Sequence, residues 1–152
     1  MSEAQSIIPS LYLPVSKQQL LLPNVSVAEV VGYQQPINKL PEMPNYFLGL
    51  IKWRGVDIPV ISYEFANEQI PDKLTKNSRI VVINTIGEHQ ASIPFFAIVT
   101  QGIPRLVKVS DGLIKTLNNK IGKADSVLVK VDGEEAIIPN IEFLESLVYK
   151  NR

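Results

Sequence analysis

NYFLGLIKWRGVDIPVISYEF, residues 45–65, consists of two apolar, β-branched runs joined at a tight turn. Phe47, Leu48, Leu50 and Ile51 lead into Lys52-Trp53-Arg54-Gly55, and Val56, Ile58, Val60 and Ile61 leave it, which is the pattern of a β-hairpin. Gly55 takes a positive φ at little steric cost. Pro59 has no N–H for a ladder, so it predicts an edge position or a bulge in the returning strand. A basic and an aromatic side chain therefore flank a turn, where a partner can reach them.

Upstream of the hairpin, Gln34–Asn45 contains Pro36, Pro41 and Pro44 and reads as a stiff loop over a barrel surface. Before it, Asn24–Tyr33 fits a turn that becomes a strand, and Ser10–Val15 with Gln19–Pro23 predicts a first hairpin around Ser16-Lys17-Gln18. Downstream, Ser62–Asn67 suits one or two helical turns, and the polar Glu68–Asn77 connects two halves of the chain. Ile80-Val81-Val82-Ile83 is a buried-strand candidate turned back at Gly87-Glu88. Ala91–Val99 is apolar again around Pro94, and Leu106, Val107 and Val109 suggest a further strand. Lys115–Asp125 reads as loop with a turn of helix. Val127–Val131 and Glu134–Ile138, joined by Asp132-Gly133, give the clearest two-residue hairpin. Asn140 N-caps a final helix with Ile141, Leu144, Leu147 and Val148 on one face and Glu142 near its positive end. Many short strands followed by one amphipathic helix predict a mainly β protein built as a pair of small barrels with little helix.

A chain of 152 residues with 45% hydrophobic content is long enough for one core or two small coupled ones. Without Cys there are no disulfides, thiolate metal sites or Cys nucleophiles. Basic and acidic residues balance at 15 each, so no overall field draws in nucleic acid or an anionic membrane; the basic residues between Arg105 and Lys130 read as a solvated face. No run approaches a membrane span and no secretory signal opens the chain, which predicts a soluble, cytoplasmic protein.

Catalytic groups are scarce. His89 is the only histidine and reads as a loop or strand-edge residue, the carboxylates are scattered, and neither a P-loop nor G-x-G-x-x-G is present. No enzyme activity, metal or cofactor is expected. Trp53 and Arg54 have two readings. In one, Trp53 closes a barrel end while Arg54 pairs with an acid such as Asp57 or Glu29; in the other, the two make a protein-binding surface.

Three ordered blocks then resemble the CheW-like domain: Val27-Ala28-Glu29-Val30-Val31-Gly32-Tyr33, Leu40-Pro41 with Pro44, and Gly49 to Ile61 with its Arg54-Gly55 and Pro59-Val60-Ile61. Asn140–Leu144 resembles that family's closing helix. The resemblance implies two SH3-like five-stranded β-barrels with short helices and a C-terminal helix. It covers residues 1–152 as one domain, with a first barrel over 20–77, a second over 78–139, and the N-terminal strand and helix 140–150 completing the fold. It implies a non-enzymatic cytoplasmic adaptor between methyl-accepting chemoreceptors and a CheA-type histidine kinase, with the receptor in the groove between barrels and the kinase on a barrel end. By position it makes Val27, Glu29, Val30 and Arg54 binding candidates, joined by Trp53 from the turn. Two departures, Ser62 in place of the acid after Pro59-Val60-Ile61 and Pro94 in the second-half block, resemble the divergent proteins of type IV pilus chemosensory systems. A small-barrel single-stranded nucleic-acid binder, with Trp53 and Tyr63 as stacking platform, is the alternative. A ligand site between barrels has no polar constellation to specify it, and exposed edges leave weak self-association open.

Overall fold

The computed structural model describes residues 7–34, 36–87 and 91–151. Strands β1 (Ile7–Val15) and β2 (Gln18–Pro23) form the first hairpin. A 3-10 turn at Asn24–Ser26 then redirects the chain into β3 (Val27–Gly32). The Pro-rich loop follows, then β4 (Phe47–Trp53), β5 (Val56–Ile61) and the one-turn helix α1 (Tyr63–Ala66). The second half holds β6 (Arg79–Asn84), β7 (Phe95–Thr100), β8 (Arg105–Ser110), β9 (Ile114–Leu117), β10 (Asp125–Val131), β11 (Glu134–Pro139) and α2 (Ile141–Lys150).

These strands make two sheets, a five-stranded one in the order β3-β6-β7-β5-β4 and a six-stranded one in the order β8-β1-β2-β11-β10-β9. The mainly β class and the C-terminal helix match the expectation; the six-stranded sheet exceeds it. Residues 115–117, read as loop, belong to β9, because a 3-10 turn at Asp111–Leu113 brings the chain back beside β10. The remainder of that segment, 118–124, contains no helix.

Sheet membership does not follow chain order. β6 and β7 complete the sheet of β3, β4 and β5, while β2 belongs to the other sheet. Two short parallel pairings, β5 with β7 and β11 with β2, close these non-local neighbours, and sequence periodicity does not encode them.

Alternation along single strands explains the continuous apolar runs. Val81, Ile83, Phe96 and Ile98 point into a central core shared by the two sheets, while Ile80, Val82, Ala97 and Val99 point into a second cluster within the five-stranded sheet. A strand buried on both faces needs no polar alternation. The six-stranded sheet does the same with Leu20 and Leu22 on the central core and Leu21 in a third cluster with Tyr12, Val109, Val129 and Val131. Against the central core α2 lays Ile141, Leu144 and Val148, its start capped by Asn140 Oδ1 accepting from Phe143 N at 3.0 Å.

Two of the two-residue hairpins have both central residues left-handed, Arg54 (φ 49°) with Gly55 (φ 80°) and Asp132 (φ 48°) with Gly133 (φ 86°), as twist-matched turns require; in the first hairpin, at Ser16-Lys17, Lys17 alone has positive φ (67°). Pro59 lies on an inner strand, yet locally its position is that of an edge. Leu50, its partner across β4, spends its N–H and C=O on Asn38 of the Pro-rich loop at 2.9 and 2.8 Å. Pro59 is therefore in a non-hydrogen-bonded pair, and the β7 ladder on its other side starts only at Val60.

The sheets are also joined by a buried polar clasp at α1. Ser62 caps the helix by accepting from Phe65 N at 3.1 Å. Tyr63 donates its hydroxyl to Asp125 Oδ1 and accepts from Gln18 Nε2 at 3.0 Å. Asn67 Nδ2 donates to the same carboxylate oxygen at 2.9 Å, and Glu64 accepts from Ser16 N at 2.9 Å. Apolar contact between sheets is non-directional, whereas these bonds fix how one sheet sits on the other.

Candidate protein-docking site

β3 and β4 are the two edges of the five-stranded sheet, and no ladder joins them. The sheet curls so that both contribute to one cluster, Ala28 and Val31 from β3 and Ile51 and Trp53 from β4. That curl brings the two motif-bearing segments together. Trp53 Nε1 donates to Glu29 Oε1 at 3.0 Å, and Arg54 NH2 donates to the same oxygen at 3.2 Å. The Arg54 guanidinium carbon lies 4.6 Å from the Trp53 ring centre, a cation–π stack. Of the two acids the sequence offered, Arg54 takes Glu29; Asp57 is 2.9 Å from Lys52, its cross-strand neighbour.

The cluster is ordered from inside to outside. Trp53 is 7% exposed and packs edge-on against Phe95 at 4.8 Å, so it closes the cluster and orients the charged pair without offering a face of its own. Arg54 and Glu29 remain 67% and 42% exposed at the side chain. Val30, next to Glu29, is exposed, while Val27 is half-buried against the central core. Thus Glu29, Trp53 and Arg54 meet, Val30 extends the exposed surface, and Val27 serves packing. Tyr63 is fully buried, so neither it nor Trp53 presents the free ring that base stacking requires. His89 lies outside the described residues.

Beside the same hairpin lies an apolar groove of about 430 Å³, lined by Leu50, Val56, Ile58, Pro59, Ile93 and Phe95 among others. Val56 is exposed at its mouth. Among the described residues no group of three His, Cys, Asp or Glu side chains is placed to hold a metal, and no helix is long and apolar enough to cross a membrane.

The model of the CheW-like domain family matches residues 10–147, nearly the whole chain and all the segments just described. The chain belongs to the CheW-like domain family. The fold of this CheW-like chain is similar to the crystal structure of the scaffolding protein TtCheW from Thermoanaerobacter tengcongensis, with a TM-score of 0.74 and 22% identity over 88% of this chain and 89% of that one. No curated protein sequence matches it.

One cluster escaped the sequence reading. Arg105 lies over Tyr12 and pairs with Glu134, residues far apart in the chain that only the six-stranded sheet assembles. The turn signal before Glu134 was legible; its partner across three strands was not.

Proposed function

We propose that this CheW-like chain is a non-catalytic cytoplasmic adaptor that couples a methyl-accepting chemoreceptor to a CheA-type histidine kinase. The observation that carries this reading is the convergence of the Val27–Val30 strand and the Arg54 turn, 25 residues apart in sequence, into one half-exposed ion pair on a buried tryptophan. Such a pair suits recognition. An exposed ion pair contributes about 0–1 kcal/mol to the fold, so a partner's charges can displace it at little cost, while the stacked arginine keeps its orientation. The neighbouring apolar groove supplies area to bury, and the charges set register. Binding alters the geometry of the kinase without chemistry in this chain. Ser62 and Pro94, which set the chain apart from the common family pattern, favour a type IV pilus chemosensory pathway over flagellar chemotaxis, and the outer strands of the two sheets allow weak self-association.

Affinity capture from the native cytoplasm with wild type and Arg54→Glu side by side tests the reading. Recovery of a histidine kinase or a chemoreceptor with wild type, lost in the variant, is the expected result. Recovery of neither with wild type overturns the adaptor function and leaves the fold unaffected.

A further inference from the structure

Glu145, on the inward face of α2, is 1% exposed, and among the described residues no cation pairs with it. Its carboxylate accepts instead from two successive backbone amides of the β6–β7 connection, Ile86 N at Oε1 and, at 2.8 Å, Gly87 N at Oε2. The approach is so close that a Cβ on Gly87 would collide with Oε2. Packing alone would be served as well by an apolar side chain at this position, because a buried carboxylate is costly to desolvate. What the clamp arranges is a wall. Thr85 N donates to Pro94 O at 3.1 Å and so ties the two limbs of the connection together next to the clamp, while the buried Thr85 hydroxyl has no partner among the described residues and adds no further hold. On the second limb Ser92, Ile93 and Pro94 line the apolar groove beside the Arg54 hairpin. Helix α2 lines it too, through Asn151 and through Val148, which lies one turn beyond Glu145 on the buried face. Two of the segments that form the groove are therefore joined to each other through Glu145.

We infer that Glu145 is a positioning residue of the docking site: by tying the β6–β7 connection to α2 it sets the spacing between the Ile93-Pro94 wall and Val148, and with it the shape of the groove that a partner fills. The two amides are adjacent in the chain and converge on one carboxylate, so the connection is held in orientation as well as in distance. Ile93 belongs to the central core with Leu144 and Val148. Apolar contact has no direction and would let the wall slide along α2; the clamp removes that freedom. Glutamine at position 145 keeps the shape and one accepting oxygen, but its NH2 faces a backbone N–H, which leaves a buried donor without a partner. Alanine at position 87 acts from the other side, pushing the unaltered carboxylate off its amides.

This inference deepens the adaptor reading and rests on it, and the test separates the two. Full-length wild type, Glu145→Gln and Gly87→Ala are compared with Val129→Ala, which lowers stability by a cavity in the third cluster, where no residue of α2 or of the β6–β7 connection lies. Amide hydrogen exchange and the isoleucine methyl spectrum read the groove without any partner. In both clamp variants the amides of residues 86 and 87 should exchange about tenfold faster or more, and the Ile93 methyl resonances should move; in Val129→Ala both should stay as in wild type. Titration with the purified CheA-type kinase and with the cytoplasmic fragment of the chemoreceptor from the same cell then reads binding. The partner that Arg54→Glu loses should bind both clamp variants about fivefold more weakly or worse, and Val129→Ala with wild-type affinity, a difference that a merely structural role does not produce. Unmoved Ile93 methyls, wild-type affinity in the clamp variants, or an equal loss of affinity in Val129→Ala each overturn the role of Glu145 and leave the adaptor reading in place. If wild type binds neither protein, the adaptor reading falls and takes the docking role of Glu145 with it, even where the Ile93 methyls move.

Discussion

Replacing Tyr63 by Phe removes one oxygen from a fully buried position and tests whether the clasp at α1 holds the two sheets together. The hydroxyl donates to Asp125 Oδ1 and accepts from Gln18 Nε2, and nothing else in the described clasp is altered. Asp125 keeps Asn67 Nδ2 at 2.9 Å and Gly122 N at 2.9 Å, so it loses one of three donors without being stranded. A hydrogen bond to a charged group contributes roughly 1.5–3 kcal/mol, and Gln18 is only part-buried and can turn to water, so a net loss of about 2 kcal/mol is expected. For a chain of this length that is a fall of about 4–8 °C in melting temperature. The penalty should also depend on pH. Burial, and then the hydrogen bond to Asp125, push the Tyr63 phenol well above its ordinary value. Its folded form therefore keeps the proton at pH values where the unfolded chain releases it, and the stability it contributes is complete below about pH 10 and is lost as pH rises beyond. Wild type should lose up to about 1.4 kcal/mol per pH unit above 10 relative to Tyr63→Phe, so the gap between them narrows. Urea unfolding of both proteins from pH 7 to 11 measures it, other tyrosines cancelling in the difference. A penalty under about 0.5 kcal/mol at pH 7, or a gap that stays constant to pH 11, would refute the clasp.

Trp53→Ala should cost about 3–5 kcal/mol by emptying the inner cluster of the five-stranded sheet, and partner binding should fall with it; chemical denaturation should show the loss, which would be near zero if Trp53 were a surface contact. Gly49→Ala should destabilise by more than about 2 kcal/mol, since φ there is 143° and a Cβ would meet the Asn38 backbone carbonyl. Hydrogen exchange should speed up at the Asn38 and Leu50 amides, each of which donates to the carbonyl of the other residue across this approach.

How far the sequence was legible depends on the range of the interaction. Turns at Arg54-Gly55 and Asp132-Gly133, the Asn140 cap and the apolar face of α2 are settled by neighbours a few residues away, and each was readable. Residues 114–117 were not, because Ile-Lys-Thr-Leu pairs as a strand only where β10 offers an edge. Asp125 looked like the end of a loop, but it is the acceptor at the centre of the clasp. The helical turn at Ser62–Asn67 was readable, but not that Ser62 caps it and Tyr63 anchors it to the other sheet.

The docking candidates divide along the same line. From the sequence alone, Trp53 and Arg54 stand out as residue types suited to recognition and Glu29 enters through the family resemblance, while the choice of acid for Arg54 stayed open between Glu29 and Asp57. Curling of the five-stranded sheet decides it, since that curl carries Glu29 on one edge to Trp53 and Arg54 on the other, leaving Asp57 to Lys52. It also decides that tryptophan supports while arginine is presented. The pattern of residues determined strands, turns, the closing helix and the mainly β class, because those follow from backbone preferences and alternation over a few positions. Which strands share a sheet, which acid meets which arginine, and the second arginine cluster at Tyr12, Arg105 and Glu134 were decided only by tertiary structure, because burial and charge pairing act between residues that the chain itself keeps far apart.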